Sequence, residues 1–156
     1  MSSILSGLNL NILRGIGVSF KQIKNNMIQF KYTILYVDSV EKSMDFYAQV
    51  FGLNVKFITP EHDYGELSTG EVRLAFTSKE LANQNLSRGF KSGKIGDLPF
   101  GIELGFTTDN VEQLIEAAIS QGAQLVEKIQ EKPWGQKVAY IQDLDGFLIE
   151  VCTPLD

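Results

Sequence analysis

The chain has 156 residues, a net charge of −5, 44% apolar and 21% charged residues, which suits one compact domain or two small modules sharing a core. The acidic balance argues against nucleic acid and anionic membrane surfaces as partners. One cysteine, Cys152, excludes an internal disulfide and fits a reducing, cytoplasmic setting; one histidine, His62, excludes a metal centre built from several imidazoles of one chain.

Residues 1–26 differ in character from the rest of the chain. Leu5, Leu8, Ile12, Ile16 and Phe20 form a partial helical stripe, interrupted by Gly7, Gly15 and Gly17. No apolar run reaches the roughly 18 residues of a membrane span. Three readings stay open for this extension: a dispensable leader before Met27, a packing helix, or a targeting segment.

From residue 27 the elements come in a repeated order. A strand is expected over 29–37, and Asp38 with Glu41 has the spacing of a helix capping box. Val40, Met44, Tyr47 and Phe51 recur at three- and four-residue steps, predicting a helix that stops near Gly52. Strands are expected at about 53–59, 64–68 and 71–77, with a tight turn at Ser68-Thr69-Gly70. A polar, Gly-containing connector spans 79–99 and reads as a lid or a linker. The plan then repeats: a strand at 101–108, and a helix over about 110–121 with Val111, Leu114, Ile115 and Ala118 inward, ended by Gly122. Strands at about 124–129, 136–142 and 147–153 close the chain, the last two joined by the turn Asp143-Leu144-Asp145-Gly146. Module one thus covers about 28–78 and module two about 100–154.

Internal echoes support duplication. Asp38-Ser39-Val40-Glu41 matches Asp109-Asn110-Val111-Glu112, and Gly70-Glu71-Val72-Arg73-Leu74-Ala75-Phe76-Thr77 matches Gly146-Phe147-Leu148-Ile149-Glu150-Val151-Cys152-Thr153. Strand alternation then assigns faces. Ile149 and Val151 fall on the helix side, with Leu104 and Phe106, while Glu150, Cys152, Glu103, Gly105 and Thr107 fall on the other. In module one Tyr32, Ile34, Tyr36, Val72, Leu74 and Phe76 are expected on that second face. Curved sheets with a partly polar concave face predict a binding cleft.

With these residues in hand, a family resemblance appears. Tyr32-Thr33-Ile34-Leu35-Tyr36-Val37, Glu41-Lys42-Ser43, Phe46-Tyr47 and Phe51-Gly52-Leu53 resemble the opening of the glyoxalase, bleomycin-resistance and extradiol-dioxygenase (vicinal oxygen chelate, or VOC) superfamily. Pro133-Trp134-Gly135-Gln136, Tyr140 and Asp143-Leu144-Asp145-Gly146-Phe147-Leu148-Ile149-Glu150 resemble its second half. The resemblance implies an α+β fold of two βαβββ modules whose sheets form a half-open barrel, and homodimers in which both subunits complete the cavity.

The resemblance also places the family's metal-ligand positions at Tyr32, Leu74, Glu103 and Glu150. Two carboxylates, a phenol and an alkyl group are a poor donor set for a divalent ion, although two facing carboxylates with waters can hold a hard ion weakly. No cofactor is expected on this donor set. Glu103 and Glu150 read either as acids solvated or satisfied by tyrosine hydroxyls, or as hydrogen-bonding groups or a general base. Tyr32, Tyr36, Leu74, Phe76 and Tyr140 read as core or as cavity wall, and Trp134 as a ring closing over the cavity. His62 reads as a loop residue and Cys152 as a small buried hydrophobe. Two functions are compatible with this: a small-molecule binder of the bleomycin-resistance type, favoured here, and a metal-dependent lyase, isomerase or dioxygenase using Glu103 and Glu150.

Overall fold

The computed structural model describes residues 28–155, so the leader 1–26 lies outside the described residues. Lys31–Asp156 forms one compact unit. Its elements are β1 (Tyr32–Val37), α1 (Val40–Phe51), β2 (Asn54–Ile58), β3 (Tyr64–Ser68), β4 (Arg73–Ser78), α2 (Lys79–Asn85), β5 (Glu103–Thr107), α3 (Val111–Ser120), β6 (Gln124–Glu131), β7 (Lys137–Gln142) and β8 (Leu148–Cys152). They make two four-stranded sheets of identical order, β1-β4-β3-β2 and β5-β8-β7-β6. In each sheet the first and last strands of the module run parallel, and the other neighbours are antiparallel.

The helices form where the apolar spacing demands. Val40, Met44 and Tyr47 of α1 and Val111, Ile115 and Ala118 of α3 are buried, on one face of each helix. They join Leu35, Val37, Leu67, Phe76, Ile149 and Val151 in a single core, each large side chain contributing about 1.5–3 kcal/mol through burial. The modules share this core directly: Phe51 of α1 stacks on Phe106 of β5 with ring centroids 4.1 Å apart. Gly52, at φ 67, stops α1 as expected, whereas the N-cap is Ser39, whose Oγ accepts from the Lys42 N–H, and not Asp38.

The Asp38 carboxylate is instead paired with Lys79 at 2.9 Å, and the Asp38 N–H donates to Asp145, across the module boundary, at 2.7 Å. The Ser43 hydroxyl donates to the other Asp145 oxygen at 2.9 Å, and the Tyr47 hydroxyl donates to Asp143 at 2.8 Å. Asp143 also accepts from the backbone N–H groups of Asp145 and Phe147, which shapes the turn between β7 and β8. Both aspartates are buried and fully engaged, so the turn acts as a polar bolt fixing module two to the start of α1. Gly146 completes it. Its φ is 86, and a Cβ there would stand 2.5 Å from the Lys94 backbone, so any side chain is excluded on two grounds.

Two expectations change. The connector is not wholly irregular: α2 begins at Ser78, whose hydroxyl accepts from the Leu81 N–H, and buries only Ala82, too little to leave a periodic signal. More consequentially, the face assigned to β4 is inverted. Tyr32 pairs with Arg73, Ile34 with Ala75 and Tyr36 with Thr77, so Arg73, Ala75 and Thr77 share their face, while Leu74 and Phe76 turn toward the helix side. The sequence echo matches β4 to β8 one residue out of step, and a one-residue slip exchanges the faces of a whole strand.

Candidate functional site

The helix-distal faces of the two sheets carry the polar chemistry. In module two, Gly105 pairs with Glu150 and Glu150 with Tyr140, so Glu103, Glu150 and Tyr140 share that face as expected. The Tyr140 hydroxyl donates to Glu150 at 2.7 Å. That hydrogen bond to a carboxylate, with partial burial, pushes the phenol up to about 12. Cys152 lies buried beside this pair; burial first, and the Glu150 charge, raise its thiol, which fits the inert role expected of it. Glu103 is exposed and has no hydrogen-bond or ion-pair partner among the described residues.

Module one carries a cluster that sequence reasoning missed. Glu66 of β3, only 4% exposed, receives Lys56 Nζ at 2.9 Å, Arg73 Nη1 at 3.2 Å and the Tyr64 hydroxyl at 3.0 Å. Burial alone would raise the Glu66 carboxyl; hydrogen bonds from Lys56 and Tyr64 and the two cationic charges outweigh it and hold it below the usual carboxylate range. Burial and the bond to Glu66 push the Tyr64 phenol up to about 12. Arg73 Nη1 also donates to the Tyr32 hydroxyl at 3.2 Å, with the guanidinium carbon 5.6 Å from the Tyr32 ring centre. The available signal was the alternation of Tyr64 and Glu66 against Leu67, but solvent-facing strand positions look the same.

The register corrects the counterpart of Glu150. If Tyr32 answers to Glu103 and Ile34 to Gly105, then Ala75, the partner of Ile34, answers to Glu150. By these registers, the ligand positions that the resemblance implies fall on Tyr32, Ala75, Glu103 and Glu150, not on Leu74 in the second place. Their donor set still does not fit a divalent ion: one position is a methyl group, and Glu150 already binds a phenol. Among the described residues no three His, Cys, Asp or Glu side chains come together as a metal cluster.

The other expected walls separate. Phe76 is fully buried with its ring 5.2 Å from Tyr47, so it belongs to the core and cannot line a cavity. Leu74 is buried too, but one edge reaches a recess of about 280 Å³ at the seam where β1 and β4 meet β5. Arg73, Glu103, Gly105 and Phe106 line the same recess. Tyr36 packs edge-on against Phe90 of the connector at 4.8 Å, and with Ile34 lines a separate apolar pocket of about 320 Å³. Tyr32 and Ile34 remain 43% and 45% exposed on an open face. Trp134 is 63% exposed in the loop after β6, its indole N–H donating to Gln136 at 3.0 Å, away from the seam recess. His62 is an exposed loop residue, paired with Glu41 at 2.8 Å.

The fold has precedents. Residues 30–156 match the family model described as a glyoxalase-like domain. An uncharacterised protein designated YraH, from Bacillus subtilis strain 168, is 26% identical over 118 residues, covering 75% of this chain and 91% of that one. A glyoxalase-related enzyme from Fulvimarina pelagi superposes with a TM-score of 0.69 at 21% identity, over 82% of this chain and 89% of its own. A glyoxalase/bleomycin resistance protein/dioxygenase family enzyme from Burkholderia phytofirmans PsJN superposes with a TM-score of 0.66, also at 21% identity, over 82% of this chain and 100% of its own. On its sequence match and its paired modules, the chain belongs to the glyoxalase-like domain family.

Proposed function

We propose that this protein is a small-molecule binder of the bleomycin-resistance type, holding its ligand at the seam between the modules without a metal ion. The observation that carries this reading is the composition of the seam. Arg73 and Glu103, from opposite modules, line a recess of about 280 Å³, where the family's metal chemistry would need several strong donors. A homodimer belongs to the same proposal: the exposed Tyr32 and Ile34 leave an apolar face that a second copy would cover, completing the cavity. A buried, unpaired Cys152 supports a cytoplasmic setting.

Two assays on chelator-treated protein test the reading. A thermal-shift screen of cationic and hydrogen-bond-donating aromatic compounds is expected to yield stabilising ligands. Hemithioacetal isomerisation is expected to stay at background with and without Ni²⁺, Zn²⁺ or Mn²⁺. Turnover stimulated by one of these ions would overturn the binder in favour of a metal-dependent lyase or isomerase using Glu103 and Glu150. Sedimentation at micromolar concentration is expected to show a dimer.

A further inference from the structure

The charges of the helix-distal face change sign at the module boundary. On the module-one side, Lys56 and Arg73 converge on the single carboxylate of Glu66, leaving that wall cationic in an acidic chain. On the module-two side, Glu103 and Glu150 share a face that carries no cation among its paired strand positions from Glu103 to Thr107 and Leu148 to Cys152. Arg73 and Glu103 line one recess from opposite modules, yet they do not pair with each other. The guanidinium commits Nη1 to Glu66 and Tyr32, and its other donors have no partner among the described residues. The recess floor is largely apolar, supplied by Val72, Leu74, Leu104 and Phe106, with Thr33 and Thr69 also lining it.

Opposite charges held apart across an apolar floor form the complement of a molecule with the reverse arrangement. We infer that the seam recess selects a small zwitterion with an apolar substituent, its carboxylate on Arg73, its ammonium on Glu103 and its side chain on the floor. The inference rests on the ligand-binding reading above and narrows it from cationic compounds to α-amino-acid-like ones. Arg fits this role because its planar fork matches a carboxylate in two parallel hydrogen bonds. The volume, about 280 Å³, lies at the small end of ligand pockets and so favours a single amino acid over a larger compound.

Isothermal titration calorimetry on the full chain separates the two charge requirements. The probes are L-leucine and L-phenylalanine, with N-acetyl-L-leucine lacking the ammonium and L-leucinamide lacking the carboxylate. At least one free amino acid is expected to bind, and each blocked leucine to bind at least about tenfold more weakly than L-leucine, the loss of one charge-assisted contact. Glu103→Gln, at an exposed position that leaves the fold intact, should erase the gap between L-leucine and its N-acetyl form while keeping the gap to the amide. Arg73→Lys should weaken L-leucine while narrowing the gap to the amide. Equal binding by the blocked forms, or unchanged L-leucine affinity in Glu103→Gln, would overturn the inference. So would silence from both amino acids while a cationic aromatic compound binds, although the binder reading would then stand. Silence from every compound would remove both.

Discussion

Tyr140 and Glu150 show how one contact sets the chemistry of a face. The phenol sits near 12 chiefly because it donates to a carboxylate at 2.7 Å. Replacing that carboxylate by an amide keeps the shape and removes the charge that resists ionisation. Glu150→Gln should therefore lower the Tyr140 pKa, read from tyrosinate absorbance against a Tyr140→Phe reference; an unchanged titration would contradict the assigned cause. Gly146 acts through the backbone. A Cβ at φ 86 and 2.5 Å from the Lys94 backbone strains the turn in any rotamer. Gly146→Ala should cost about 2–3 kcal/mol in chemical denaturation.

At the level of elements, the turn between β7 and β8 is the piece that joins the modules. Burial, opposed by hydrogen bonds from Tyr47 and Phe147, raises the Asp143 carboxyl from 3.8 to about 6. The other charged groups at this turn are Asp145, whose charge pushes Asp143 further up, Lys79, which stands 3.6 Å from Asp145, and Asp38, which pairs with Lys79 at 2.9 Å. Because the folded value lies above the unfolded one, the folded protein takes up a proton that the unfolded chain does not between about pH 6 and pH 4. Stability contributed by Asp143 is thus present at low pH and lost as pH rises through 6. Asp143→Asn should flatten the change in melting temperature between pH 7.5 and pH 5 relative to the parent, since Glu66 stays ionised across that window. A parent and variant with parallel profiles would contradict the raised carboxyl.

These elements also show how much the sequence could reveal. The helices and strands were legible because Val40, Met44 and Tyr47, or Ile149 and Val151, repeat at the period of the element that buries them. The placement of Glu103, Glu150 and Tyr140 on one face came from alternation within single strands and from the duplication. What stayed hidden depended on pairing between strands. Leu74 and Phe76 looked like cavity walls because the echo between β4 and β8 carries no gap, whereas the registers differ from it by one residue. The Lys56–Glu66–Arg73 cluster draws on three strands, and no local pattern announces such a meeting.

For the molecule as a whole, two modules of one plan carry different charges. Both modules keep the same strand order and share one core, yet the helix-distal face is cationic around Glu66 and acidic around Glu150. The proposed ligand site is the seam between these two faces, where opposite charges would orient a small ligand. Amide chemical-shift mapping by NMR, with a screened ligand added in the presence of EDTA, tests this most directly. The account predicts saturable shifts clustered on Tyr32, Thr33, Arg73, Glu103 and Gly105. Shifts confined to the connector around Phe90 and Phe100, or binding that appears only after a divalent metal is supplied, would contradict it.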